Sequence, residues 1–228
     1  MQPKRLALFD LDLTLIPFDS GMAWTQFLIG RGILPAEAEP QYLAYCEFYI
    51  AGTLDIHAMH RNNMQPLLRH SRELLAQWQG EFEQEMASRI PLASVALVEQ
   101  HRARGDLCAI VTATTALIAR PMARLFGIEH LVSTRAATVD VLPDSPYTGE
   151  IDGEPCYRQH KPSRVGQWLG EQGHRLEAFE ASWFYSDSIG DLPLLKAVTH
   201  PVAVCPDERL RAHAEQAGWP VLDLDRSL

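Results

Sequence analysis

Apolar runs rich in β-formers recur along the chain at RLALFD, LCAIVTA, HLVST, SWFYSD and PVAV, and helix-period stretches such as PLASVALVEQHRARG and TTALIARPMARLFG separate them. Short strands alternating with amphipathic helices predict a parallel sheet covered on both faces. Residues 17 to about 90 break that rhythm. There MAWTQFLIGRG, AEPQYLAYCEFYIAG, DIHAMHRNNMQPLLR and SRELLAQWQGEFEQEMASRI read as four helical segments with no strand between them. A later interruption, PDSPYTGEIDGEPCY, alternates and carries turn residues around Gly149 and Gly153, and reads as a hairpin. The expected organisation is an α/β, Rossmann-like core built from residues 1–16 and 91–228, with a helical cap, residues 17–90, inserted after the first strand.

In open parallel sheets ligands collect outside the carboxyl ends of the strands. Polar sets stand at four such places: Asp10, Asp12 and Thr14 after the first strand, Thr112 and Thr114 after LCAIV, Lys161 opening a helix, and Asp187 and Asp191 after SWFY. Any one of the acids or threonines alone reads as a helix cap. Together they conflict with that reading, because carboxylates converging on one crevice repel one another and must take up protons or find a cation. Lys161, one of only three lysines with Lys4 and Lys196, supplies a single positive charge. Oxygen ligands without Cys or His point to a hard divalent ion that keeps waters, which suits Mg²⁺. A nucleophilic carboxylate, a second carboxylate, a hydroxyl, an ammonium and a divalent ion suit phosphoryl transfer through an aspartyl phosphate, with Asp10 attacking and Asp12 moving protons.

Bulk composition narrows the partners. The net charge of −9 and the dispersed arginines argue against nucleic acid, which selects clustered Lys and Arg. Cys46, Cys108, Cys156 and Cys205 are scattered without metal-ligand spacing, as expected of reduced thiols in a cytoplasmic protein. The opening apolar stretch is too short for a signal peptide and no run approaches a membrane span, so neither secretion nor a membrane partner is expected.

Four motifs in order, DLDLT at Asp10–Thr14, the strand-end threonine of IVTAT, the lysine of HKPSRV and the acidic SDSIGDLPLL, resemble the haloacid dehalogenase superfamily and, within it, the phosphoserine phosphatase-like branch. The resemblance implies that Asp10 is the nucleophile and Asp12 the general acid/base, with Asp10, Asp12 (through its backbone carbonyl) and Asp187 on the metal. It implies that Thr112, Ala113 and Lys161 hold the phosphoryl group, and that Asp191 and Thr14 support the metal and lysine from behind. The presence of Asp12 implies a phosphatase, since a halide leaving group needs no proton. Leu13 stands where a small or polar residue is usual in the family, and His160 where glycine is usual.

The insert resembles the cap of that branch. Asp19 stands where an acid reads a substrate amino group, and Arg61, ending GTLDIHAMHR, where an arginine reads a carboxylate; His57 replaces an acid usual in that stretch. Asp19 also suits a helix cap, and Arg61 a solvated face. Trp24, Phe27, Tyr42, Tyr45, Phe48 and Tyr49 are candidates for lining a cavity, although the helical spacing of Tyr42, Tyr45 and Tyr49 is expected to mark the insert's own core. His57 and His60 share a helix face without a third ligand and are expected at a solvated or cavity-edge position. The implied activity is Mg²⁺-dependent hydrolysis of a small phosphorylated metabolite, such as phosphoserine or histidinol phosphate. The alternatives are a phospho-aspartate signalling module, which needs neither Asp12 nor a lid, and a phosphotransferase on the same core.

Overall fold

The computed structural model describes residues 4–224, so the outermost positions of the expected core, 1–3 and 225–228, lie outside the described residues. The first apolar run is strand β1 (Arg5–Phe9), in which Leu6, Ala7, Leu8 and Phe9 are fully buried. A strand apolar at every position must be covered on both sides. Leu6 and Leu8 join one hydrophobic cluster, and Ala7 and Phe9 the other.

Helices α1 (Ser20–Gly30), α2 (Ala38–Ala51), α3 (Ile56–Met64) and α4 (Arg72–Ala87) follow before the next strand. Then come α5 (Leu92–Ala103), β2 (Leu107–Thr115), α6 (Ala116–Leu125) and β3 (His130–Thr134). Strands β4 (Ala136–Thr138) and β5 (Tyr147–Ile151) form the antiparallel hairpin expected around Gly149. The chain continues through α7 (Lys161–Glu171), β6 (Ala181–Ser186), α8 (Leu192–Leu195), β7 (His200–Val204), α9 (Glu208–Ala217) and β8 (Val221–Leu222). Among the described residues no helix is long and apolar enough to cross a membrane.

The main sheet has six strands in the order β3-β2-β1-β6-β7-β8, all parallel. Strand β8, only two residues long, is an edge that the apolar pattern did not announce. From β1 the chain moves outward through β2 and β3, then returns to lay β6 on the other side of β1. The order reverses between β1 and β6, and a crevice opens outside their carboxyl ends. Asp10 and Asp187 directly follow those two strands.

The helices of the insert are bounded by ordinary local chemistry. Asp19, Asp55 and Ser71 accept backbone N–H bonds at the starts of α1, α3 and α4, and Gly52, at φ 79°, ends α2 in the left-handed conformation that glycine adopts without steric cost. Trp24, Phe27 and Phe82 supply its aromatic core, with ring centroids 5.1–5.3 Å apart. Helix α4 rests on α6, where Gln79 Nε2 donates to the Leu117 carbonyl and Arg124 pairs with Glu83. This anchorage lays α2 and α3 across the strand ends.

Candidate active site

Asp10 follows β1, and its amide donates to the Tyr185 carbonyl at 2.9 Å, which holds the turn against β6. Its Oδ1 accepts from Lys161 Nζ at 2.7 Å, and the same ammonium donates to Asp191 Oδ2 at 2.6 Å. Lys161 is buried between the two carboxylates. Burial opposes its charge, but Asp10 and Asp191 outweigh burial and hold its pKa well above the usual lysine value. Ser186 Oγ donates to the same Asp191 oxygen at 2.7 Å, while the buried Oδ1 of Asp191 accepts no hydrogen bond.

Thr14 Oγ1 lies 3.2 Å from Asp10 Oδ2 and 3.0 Å from Asp187 Oδ1, and accepts from the Asp187 amide at 3.0 Å. One hydroxyl proton cannot serve two carboxylates at once. Burial, followed by the charge of Asp191 and Asp12 against the relief from Lys161, pushes Asp10 up to about 7. Burial and then the charges of Asp10 and Asp191 push Asp187 well above the carboxylate range. The excess of negative charge is what a divalent cation would relieve. Among the described residues no three His, Cys, Asp or Glu side chains form a ready cluster. Two carboxylates with a backbone carbonyl and waters still suit Mg²⁺, which is commonly held by one or two carboxylates plus substrate phosphate, and the unpaired oxygen of Asp191 adds to the case.

Asp12 points across the crevice. Its Oδ1 accepts from the Ser20 amide at 2.6 Å and its Oδ2 from Thr114 Oγ1 at 2.8 Å, with Thr112 Oγ1 at 3.5 Å. Burial and then the charge of Asp19 raise it to about 6 despite those bonds. Strand β2 continues past the expected strand end, and its pairing with β3 shifts between Thr112 and Thr115. Such an irregularity re-aims side chains. Here Thr112, Ala113 and Thr114 all border the cavity, with the Thr114 amide donating to Thr112 Oγ1 at 3.1 Å.

The cavity is about 200 Å³. Asp10, Asp12, Thr112, Ala113, Lys161 and Asp187 meet at its floor, and Thr14 and Asp191 lie behind them. Leu13 borders it with φ 59°, in the left-handed region where residues with a Cβ are uncommon. His160 sits in the turn before α7, 3.4 Å from Glu154 Oε1. Asp19 caps α1, its Oδ1 accepting from the Met22 amide at 2.8 Å, and it also borders the cavity.

Three expectations for the insert need correction. Tyr42, Tyr45 and Tyr49 line the cavity and are not the insert's core, because α2 lies over the strand ends while Trp24, Phe27 and Phe82 fill the interior. Phe48 is exposed. Arg61 does not border the cavity; its Nη1 pairs with Glu150 Oε2 of β5 at 3.3 Å, because α3 packs on the hairpin. His57 is exposed as expected, and His60 takes the cavity-edge position, lining a small second cavity beside Thr114 and Thr115 with Nδ1 3.2 Å from Thr115 Oγ1, where burial lowers its pKa. Sequence reasoning also missed Ser186, Ser188 and the Ser20 amide. The Ser20 amide serves Asp12 eight residues back and Ser186 serves Asp191 five residues on, so the pairings carried no local sequence signal.

Comparison with known proteins agrees with this geometry. The haloacid dehalogenase-like hydrolase family matches residues 7–196. A histidinol-phosphatase of Neisseria meningitidis serogroup C (strain 8013) is 41% identical over 222 residues, covering 96% of this chain and 99% of the relative. The crystal structure of a protein with unknown function from Bordetella pertussis Tohama I is 42% identical, with a TM-score of 0.89 and coverage of 98% of this chain and 100% of that one. A substrate-bound phosphoserine phosphatase, 17% identical and covering 99% of this chain and 95% of that one, shares the fold at a TM-score of 0.65.

Proposed function

Because this chain belongs to the haloacid dehalogenase-like hydrolases, in their phosphoserine phosphatase-like branch, we propose that it is a Mg²⁺-dependent phosphomonoesterase that passes the phosphoryl group of a small amino-alcohol phosphate to Asp10 and then to water. The observation that carries this reading is Lys161, buried between Asp10 and Asp191 at the floor of a cavity bordered by Thr112, Ala113 and Thr114.

The lysine pins Oδ1 of Asp10, which leaves the second oxygen to attack phosphorus in line. Thr112, the Ala113 backbone and Lys161 receive the phosphoryl oxygens and stabilise the charge that builds on them. Asp12, raised to about 6, keeps a protonated fraction near neutrality, and that form delivers its proton to the departing alkoxide. Once ionised it draws a proton from the water that cleaves the aspartyl phosphate. Bonds to the Ser20 amide and Thr114 keep it aimed in both half-reactions. Bound Mg²⁺, held by Asp10, Asp187 and the Asp12 carbonyl, would supply positive charge against the phosphoryl oxygens.

We assign residues 17–90 as the lid and residues 1–16 with 91–228 as the catalytic core. The lid side of the cavity offers Tyr42, Tyr45, Ile50, Ile56 and Met59 around Asp19, and Lys161 is the one cationic side chain among the described residues that line it. A substrate carboxylate would meet Asp19 and Asp12 with no counter-charge, whereas an ammonium would be welcome. This supports an amino-alcohol phosphate with a flat or apolar body over an amino-acid phosphate, in keeping with the name of the Neisseria relative. The test is a panel of phosphometabolites assayed with Mg²⁺. Histidinol phosphate should show the highest kcat/KM, phosphoserine a much lower one, and excess chelator should abolish turnover until Mg²⁺ is restored. Full turnover in chelator would remove the metal, and preference for phosphoserine would remove the substrate assignment.

A further inference from the structure

Arg158 stands three residues before Lys161, in the turn Arg158–His160 that opens α7, and has φ 49°. Its side chain leaves the core and reaches the lid. Nη2 donates to the Tyr49 carbonyl at 2.8 Å, in the last turn of α2, where a cation also suits the helix dipole. The guanidinium carbon lies 5.7 Å from the Tyr49 ring centroid and 5.2 Å from that of Tyr157, and the two rings are 5.5 Å apart. Gly52, just past α2, leaves room for the guanidinium: a Cβ there would lie 3.1 Å from Nη1.

Tyr49 borders the same cavity as Asp10, Lys161, Asp187 and Ser188. Of the tyrosines on α2, Tyr42 spends its hydroxyl on Asp19 at 2.8 Å. Tyr49 shares the cavity wall with Asp10, Lys161 and Asp187, and desolvation and then the charges of Asp191 and Asp10 keep its phenol protonated. A neutral O–H donor on the wall of a cavity that also holds the Lys161 ammonium suits an incoming oxyanion.

We propose that Tyr49 is a phosphoryl-binding residue supplied by the lid, and that Arg158, bridging the turn before Lys161 to the end of α2, is the positioning residue that holds it there. Lid closure and the grip on phosphate are then a single event. This inference rests on the phosphatase reading.

Inorganic phosphate is the probe, read as a competitive inhibitor of para-nitrophenyl phosphate hydrolysis in Mg²⁺. Tyr49→Phe should raise the phosphate inhibition constant and KM by roughly ten- to a hundredfold, the range of a hydrogen bond to a charged group, with a smaller change in kcat and an unchanged Tm. Arg158→Gln should do the same, Arg158→Lys should recover part of the loss, and the double variant Tyr49→Phe/Arg158→Gln should be no weaker than the worse single one. If Arg158→Gln fails to fold, Tyr49→Phe and Arg158→Lys carry the test. An unchanged inhibition constant in Tyr49→Phe, or fully additive losses, would overturn the inference while the active wild type upholds the phosphatase reading. A wild type that hydrolyses no phosphomonoester in Mg²⁺ overturns both.

Discussion

Asp19→Asn separates the capping task of this carboxylate from its proposed task of meeting a substrate ammonium. Asp19 Oδ1 accepts from the Met22 amide at 2.8 Å and from the Tyr42 hydroxyl at 2.8 Å. An asparagine offers the same oxygen, and Asn ranks with Asp as an N-cap, so stability should change by less than about 0.5 kcal/mol. Asp19→Ala, in contrast, forfeits the cap at about 1 kcal/mol and strands the Tyr42 hydroxyl at about 1 kcal/mol more. What Asn removes is charge. Burial raises the Asp19 carboxyl above its usual range, so an ammonium brought by the substrate would restore the interaction that water no longer provides. A hydrogen bond between charged partners contributes about 1.5–3 kcal/mol, or roughly ten- to a hundredfold in kcat/KM. The assay compares kcat/KM of Asp19→Asn on histidinol phosphate and on para-nitrophenyl phosphate, alongside thermal melts. Loss confined to the amine-bearing substrate, with an unmoved Tm, is the expected result. Equal loss on both substrates, or none on the amine, would refute the argument and leave Asp19 as a cap alone.

Asp12→Asn should be nearly inactive on an alkyl phosphate, losing ~10²–10⁴ in rate, yet should release a burst of nitrophenol near one equivalent per site from the aryl ester, because that leaving group needs no proton while the water step does. Rapid mixing detects it, and Asp10→Asn should show neither burst nor phosphate label. Lys161→Met leaves Asp10 and Asp191 facing each other and should lower unfolding stability at neutral pH by about 3–5 kcal/mol in denaturant titrations. The deficit should be largest in alkali and shrink as pH falls toward 7, since Asp10, already raised to about 7 beside the lysine, rises further without it and takes up its proton in the folded variant before the wild type does. A loss below about 1 kcal/mol, or one that grows in acid, would contradict this account.

Asp10, Asp12 and Asp187 were legible because each sits at the end of an apolar run whose direction fixes where its end must lie, and Lys161 because it is one of three lysines and opens a helix. The partners of Asp12 were less so. Thr114 reaches it through the shifted pairing of β2 with β3, and the Ser20 amide through the first turn of α1; neither detail has a hydropathy signature. Periodicity placed Tyr42, Tyr45 and Tyr49 on one helical face without saying whether that face looks into the insert or across the strand ends. Arg61 was placed on the right helix, but Glu150, far away in the chain, decides where its side chain goes. Arg158 had no signal at all, since an arginine in a turn before a helix reads as solvated.

Helix α2 carries Tyr42, Tyr45, Cys46, Tyr49 and Ile50 on the cavity wall, and Tyr42 is its one buried residue. Few α2 side chains are committed to the core, so substitutions on its cavity face should cost little stability and act chiefly on what the cavity admits. A lineage could acquire a new specificity by rewriting the cavity-facing residues of this helix around a retained Tyr49, while leaving the carboxylates and lysine at the strand ends in place. The same separation makes α2 the natural segment to exchange in the laboratory: a transplanted helix of equal length should carry its substrate preference with it.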